Sequence, residues 1–342
     1  MLQLGNVLLN DLVAFRREEV LHSLFSSHVL GMLLGFLFHG ASMSELDLCT
    51  LIEDFGDETK CRSYIERLRW PNGITCPACK SDKISRIIKR HQFDCDACRY
   101  QFSATAGTIF HDTHLPLWKW FLATYLLCES RKGMSANQMK RQLAISYKTA
   151  WYLCHRIRAA MLETAQEKLG GTVEIDETYV GGKARRWRPR SEKSVVIGIR
   201  QRNGDLRMIR AKDDKSATVR QIIDANIGGH VEVIMTDESA IYPWALNELK
   251  RGVHKTINHT REYAHGDIHT NTVESAFSLL KRGIVGTWHK VSAKHLPAYL
   301  DEMCFRFNNR KNDFLFRDTM LKLIDSPNLE YKHLTAKVQD AA

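Results

Sequence analysis

No aspartate or glutamate occurs between residues 131 and 160, although that stretch holds seven Lys or Arg. Its cations have no acids beside them in the chain, so the run reads as a solvated basic face or as a surface for an anion. The chain also lacks a comfortable membrane span. The apolar stretch "HVLGMLLGFLFHGASM" at 28–43 stops short of the ~20 residues that crossing a bilayer requires. An even cysteine count is missing too. Nine cysteines cannot all pair, which fits a reducing compartment better than a disulfide scaffold. Apolar material is not lacking: 44% of the residues are hydrophobic, which excludes global disorder.

What is there divides along the chain. Arg16 and Arg17 precede the apolar stretch, so a signal peptide is one reading of the first 42 residues. An upstream start codon is the other. The expectation is a natural product that begins at Met43 and is cytoplasmic, because "SELDLCTLIEDFGDETKCRSYIERLRW" opens a soluble helical pattern at once. Ser44 is the expected cap of one helix, Gly56 its end, and a second helix is expected from Asp57 to Leu68 within a short helical lead over 43–70. At 342 residues there is room for two or three domains, and the net charge of +10 points to an anionic partner. Nucleic acid is the first candidate and an acidic membrane surface the second. Residues 181–220 add thirteen Lys or Arg against four acids.

"CPACKSDKISRIIKRHQFDCDACRYQF" sets Cys76, Cys79, Cys95 and Cys98 as two C-x2-C pairs fifteen residues apart. Two such knuckles close a tetrahedral zinc site, with short strands between them, and four thiolates leave no open position for a substrate. The expectation over 71–110 is a zinc ribbon with structural Zn²⁺. The other five cysteines sit in apolar, helix-like sequence and read as buried thiols.

Three helices are expected over 115–165. Pro116 starts one that runs to about Arg131, Ser135 caps a second that ends near Leu143, and "AIS" turns into a third from Tyr147 to Met161. This is the plan of a helix-turn-helix. Its third helix would offer Lys148, His155, Arg156 and Arg158 to DNA from a solvent face.

From Gly170 the pattern changes to three strands, a helix, a strand, a helix, a strand and a helix. That order suggests an α/β sheet of the ribonuclease H type over 170–312. Asp176 falls in the middle of the first strand of "VEIDETYVGGK", Asp237 at the end of the fourth, and Glu274 in the first turn of the last helix. A carboxylate inside a half-buried strand is costly unless something neutralises it. Three acids from separate elements can hold two divalent cations for in-line phosphoryl displacement. Glu174 shares the face of Asp176 and is a weaker ligand candidate, while Glu177, which points to the other side of its strand, and Glu238 read as surface acids. His265, His269 and His289 read as polar loop residues near this site.

The stretches "RLRWPNGITCPACKS", "IDETYVGGK", "TDESAIY", "HTNTVESAFSLLKRGIVGTWHKVSAKHL" and "YLDEMCFRFNNR" resemble bacterial insertion-sequence transposases of the DDE class, in the group that joins an N-terminal zinc ribbon to an ISXO-type catalytic domain. The resemblance covers about Met43 to Arg310. It implies a metal-binding triad of Asp176, Asp237 and Glu274, served by Mg²⁺ or Mn²⁺, and associates Lys281 with the site. Some members use Asn as the third ligand, so Asn271 competes with Glu274. The implied activity is binding of double-stranded DNA at the terminal inverted repeats, metal-dependent strand cleavage and strand transfer to target DNA, by a homo-oligomer on DNA. "KARRWRPR" at 183–190, with Arg185, Arg186, Arg188 and Trp187, would track phosphates. A ribonuclease H-fold nuclease such as a junction resolvase, and a DNA-binding regulator with a decayed catalytic domain, are the rival readings. The tail over 313–342 is helical in pattern.

Overall fold

The computed structural model describes residues 46–163, 166–181, 193–247, 249–257 and 269–336. The N-terminal extension over 1–42, His265, and the stretch with Arg185, Arg186, Trp187 and Arg188 lie outside the described residues. Among the described residues, no helix is long and apolar enough to cross a membrane.

Two short helices lead. α1 (Leu48–Phe55) starts at Asp47, not Ser44: the Asp47 carboxylate accepts the Thr50 N–H at 2.8 Å. α2 (Glu58–Arg69) is capped by Asp57 and buries Cys61, Tyr64 and Ile65. Three antiparallel strands follow, β1 (Ile84–Ile87), β2 (Gln92–Cys95) and β3 (Gln101–Phe102). Their apolar core is little more than Phe93 and Phe102 with the Trp70 ring set edge-on at 5.6 and 5.8 Å. So small a core needs a staple.

α3 (Leu117–Glu129), α4 (Ala136–Leu143) and α5 (Tyr147–Ala160) fall where the sequence places them. Ser135 and Ser146 cap α4 and α5, and Ala144 turns the chain between them at φ 49°. The expected solvent face of α5 is corrected. His155, Arg156 and Arg158 are buried, at 1%, 4% and 1% exposure. Arg156 donates to the carbonyls of Ile109 and His111 and to Asn328 Oδ1, and its guanidinium lies over Trp120. Arg158 is paired with Glu302. The partners come from far along the chain, so nothing near α5 in the sequence announces them. Lys148 stays exposed, with its ammonium 4.6 Å from the Tyr331 ring centroid.

A five-stranded mixed sheet comes next: β4 (Leu169–Val180), β5 (Ser194–Gln201), β6 (Leu206–Ala211), β7 (Ile227–Asp237) and β8 (Val253–Ile257), in the order β6-β5-β4-β7-β8. β4, β5 and β6 run antiparallel; β7 and β8 run parallel to β4. Alternation along β4 and β5 sends Val173, Ile175, Val195, Ile197 and Ile199 to one face, against α6 (Ser216–Asn226) and α7 (Ile241–Asn247). Val180 and Val196 face the other way, against α8 (Asn271–Gly283) and α9 (Leu296–Asn308). Gly198 lets α8 approach the sheet: a Cβ there would stand 2.6 Å from Phe277 and 2.8 Å from Val273. Asp176 is the residue paired with Gly198, so α8 packs close to the sheet beside it. The C-terminal segment turns back. α10 (Leu315–Asp325) buries Phe316 among Phe55 and Phe121 of α1 and α3, and α11 (Tyr331–Thr335) places Tyr331 against Trp151 and Tyr152 of α5.

Candidate metal centres

In the ribbon, the sulfurs of Cys76, Cys79, Cys95 and Cys98 all lie within 4.8 Å of one another. Cys76 and Cys98 are 3.7 Å apart and Cys79 and Cys95 3.5 Å. Four thiolates at ~2.3 Å from a tetrahedral zinc stand about 3.8 Å apart, so the set fits that ion. It does not fit two disulfides, whose sulfurs would be bonded at ~2.05 Å. The four-cysteine arrangement supports structural zinc. One zinc per chain is expected by elemental analysis, with loss of that zinc and of the ribbon's fold in Cys95→Ser, because metal binding and folding of such a unit are one equilibrium. Full zinc occupancy in that variant would overturn the assignment.

The second centre lies where the parallel ladder between β4 and β7 ends. Their parallel ladder stops at Glu174↔Met235, while β4 continues to Val180 and β7 to Asp237. Past the last bridge, carboxylate oxygens of Asp176, Glu177 and Asp237 lie within 4.8 Å of one another. The carboxyl ends of parallel strands are where open α/β sheets place their ligands. Asp176 Oδ1 accepts the Glu177 N–H at 2.8 Å, and Asp237 Oδ1 accepts the Ser239 N–H at 3.0 Å.

Glu177 is not the plain surface acid its parity suggests. It does point to the α7 side of the sheet, where the Tyr242 hydroxyl donates to its Oε2. At this rim the two faces meet, and its carboxylate joins the cluster. Burial pushes the Asp176 pKa up to about 7, with the charges of Glu177, Asp237 and Glu274 adding to the shift against the opposing Glu177 N–H. Glu177 is raised as well, chiefly by burial and further by Asp237. Crowded, half-buried carboxylates that resist ionisation are what a hard dication stabilises, so the donor set fits such an ion.

Glu274 is half-buried in the first turn of α8 and lies outside the group of mutually close oxygens, although its charge reaches Asp176. Its Oε1 accepts the Thr270 hydroxyl at 3.1 Å. Asn271 and Lys281 are exposed on the same helix, and Glu238 is exposed. Glu174 is fully buried and saturated by hydrogen bonds, which removes it as a ligand. His269 contacts Arg202 and Glu174, and His289 donates to the Val285 carbonyl.

Residues 168–308 match the ISXO2-like transposase domain, and residues 56–101 match the transposase zinc-ribbon domain, between them more than half of the chain. A protein from Halobacterium salinarum described as an uncharacterized protein in transposable element ISH50 is 29% identical over 271 residues, which cover 73% of this chain and 90% of that protein. A zinc ribbon followed by a sheet whose rim gathers acidic residues thus coincides with both matched regions, and the chain belongs to the insertion-sequence transposases that pair a zinc ribbon with an ISXO2-like DDE domain.

Proposed function

We propose that the protein binds the terminal inverted repeats of its own element, cuts a strand at each end and joins the freed 3′-hydroxyl to target DNA. The observation that carries this reading is the convergence of Asp176, Glu177 and Asp237 just past the last bridge between β4 and β7, with the charge of Glu274 acting on Asp176. The strand order, with three antiparallel strands followed by two parallel ones, supports a ribonuclease H-type scaffold. Two divalent cations, Mg²⁺ or Mn²⁺, would supply activation of water and of the 3′-hydroxyl and neutralise charge at the phosphodiester. Asp176 and Asp237 would hold them, with Glu274 as the third ligand; a carboxylate suits a hard cation better than the Asn271 amide. Glu177, fixed by Tyr242, adds negative charge beside the pair. Lys281 would meet a phosphate near the cut as a point charge. Two ends have to be brought together, so the working form would be at least a dimer on DNA. The test is a labelled repeat end incubated with Mg²⁺ and a target plasmid: a transposase nicks and joins, a resolvase cuts without joining, and a regulator does neither.

With Arg156 and Arg158 buried, DNA contact falls to the exposed basic residues of α4 and the start of α5, Arg141 and Lys148 among them. Arg141→Ala is expected to weaken binding to repeat and random DNA alike and to lower the slope of log K against log salt by about 1. An unchanged slope would remove α4 from the interface.

Asp176 also makes metal binding pH-dependent. Its folded pKa of about 7 exceeds the 3.8 of an unperturbed carboxyl, so between these values the metal-free folded chain holds a proton that the unfolded chain has released. Stability without metal therefore falls as pH rises across that window. Added Mg²⁺ is expected to raise the melting temperature more at about pH 8 than at about pH 5. Equal increments at both would contradict a carboxylate site that must lose a proton to bind metal.

A further inference from the structure

Glu174 is an acid inside a strand, with no exposed surface at all. Its Oε1 accepts Arg202 Nε at 2.8 Å and faces His269 Nδ1 at 3.3 Å. Its Oε2 accepts the Thr272 N–H at 3.0 Å, the Thr272 hydroxyl at 2.7 Å and the Val273 N–H at 3.2 Å. Those last contacts are a helix cap supplied from another element. Thr270, at the N-cap position of α8, makes no capping bond from its own side chain, and β4 provides the acceptor and the negative charge that a helix N-terminus favours. Arg202 extends the network. Its Nη2 approaches Met235 Sδ at 3.0 Å, His269 Nδ1 at 3.1 Å and the His269 carbonyl at 3.3 Å.

These contacts touch every element that carries a candidate ligand, each next to that ligand. Glu174 is two residues before Asp176 on the same face of β4. Met235 is two residues before Asp237 on β7. Thr272 and Val273 immediately precede Glu274 on α8. We propose that Glu174 and Arg202 are positioning residues of the carboxylate site: the ion pair between buried Glu174 and half-buried Arg202 fixes β4, β7 and the start of α8 against one another and so sets the spacing at which Asp176, Asp237 and Glu274 meet a dication. The inference rests on the metal-site reading above and goes beyond it, since neither residue touches the cation.

The experiment measures Mn²⁺ binding to the zinc-loaded full-length chain by calorimetry, with far-UV circular dichroism and melting temperature recorded for each variant. Glu174→Gln keeps an acceptor for the α8 N–H groups but removes the charge that holds Arg202. It is expected to raise the Mn²⁺ dissociation constant about tenfold or more, the usual scale for groups that orient metal ligands. Arg202→Lys, which keeps the charge but loses the guanidinium fork, and Thr272→Val, which removes one hydroxyl contact, should weaken binding by a smaller factor; they also serve if Glu174→Gln does not fold. Ile223→Ala, a core change on the opposite face of the sheet, is the control for loss of stability alone and should bind Mn²⁺ as wild type does. Wild-type affinity in folded Glu174→Gln, Arg202→Lys and Thr272→Val reduces the network to a helix cap and overturns the proposal. So does an equal loss of affinity in Ile223→Ala. Asp237→Asn separates the two readings: if it binds Mn²⁺ as wild type does, the metal site itself is wrong and the inference falls with it.

Discussion

Asp237→Asn is expected to stop strand cleavage at a labelled repeat end in Mg²⁺, lowering the rate by on the order of 10²–10³ or more, the scale for removing one preorganised charge-stabilising group. End binding should survive. Asparagine keeps the size of the side chain and can still accept the Ser239 N–H that Asp237 Oδ1 accepts at 3.0 Å, so the turn into α7 is retained. What is lost is the charge that would hold a cation between β7 and β4. Binding of the ends should be unchanged or slightly tighter, because negative charge near the phosphates has gone. Glu274→Gln should behave in the same way, whereas Asn271→Ala, an exposed residue one turn earlier, should only be impaired. Gel binding and cleavage read on the same samples separate these effects. Cleavage by Asp237→Asn at the wild-type rate would end the case for this active site.

The candidate site is legible from sequence where one element suffices to show it. Asp176 stands out because an acid amid Val173, Ile175 and Val180 needs a reason, and Asp237 because it closes a strand. The four cysteines stand out by spacing alone. Glu177 was misread because alternation tells which face a side chain leaves from, not that β4 outlasts its ladder with β7 and that both faces meet at that rim. Glu174 looked like a spare ligand because Arg202, His269 and Thr272, which consume its oxygens, are 28 to 98 residues away. The same limit explains α5. Its stretch has no acid, and a helix of basic and apolar residues without local partners reads as a DNA-facing surface. Its cover comes from Glu302 and from Asn328 to Tyr331, which only the completed fold delivers. α9 was recognised by its motif but not placed as an element. Asn308 at its end bonds both the N–H and the carbonyl of Leu206, fastening α9 along β6.

Glu302→Ala is expected to destabilise the protein by about 3–5 kcal/mol, the cost of leaving buried charge without its counter-ion. Glu302 has no exposed surface and stands between two arginines that are themselves buried. Arg158 Nε donates to Oε2 at 2.5 Å, and Arg306 Nη2 lies 3.1 Å from Oε1. Arg306 Nη1 also donates to the carbonyls of Ser130 and Arg131, and Arg158 Nη2 to that of Met134, so the turn between α3 and α4 is bound into the same network. Gly133 packs against it: at φ +75°, a Cβ there would stand 2.7 Å from Glu302 Oε1. Without Glu302, two guanidinium groups repel each other in a site that water does not reach. For a chain of this size the melting temperature should fall by roughly 10 °C. The paired replacement Arg158→Met with Glu302→Leu removes one charge of each sign and the repulsion between the guanidinium groups, and should recover part of that loss, Arg306 keeping only the carbonyls of Ser130 and Arg131 as partners. Single and double variants compared by urea melts give the coupling directly. The same series decides what Arg158 does for DNA. In the folded fraction of Arg158→Met, the salt slope of end binding should equal that of wild type, because a buried guanidinium meets no phosphate. A slope reduced by about 1, with stability unchanged, would return Arg158 to the DNA surface. Loss of stability at constant slope makes the triad the clamp that joins α5 to α9, and through α9 the helices that follow the ribbon to the sheet that carries the acids.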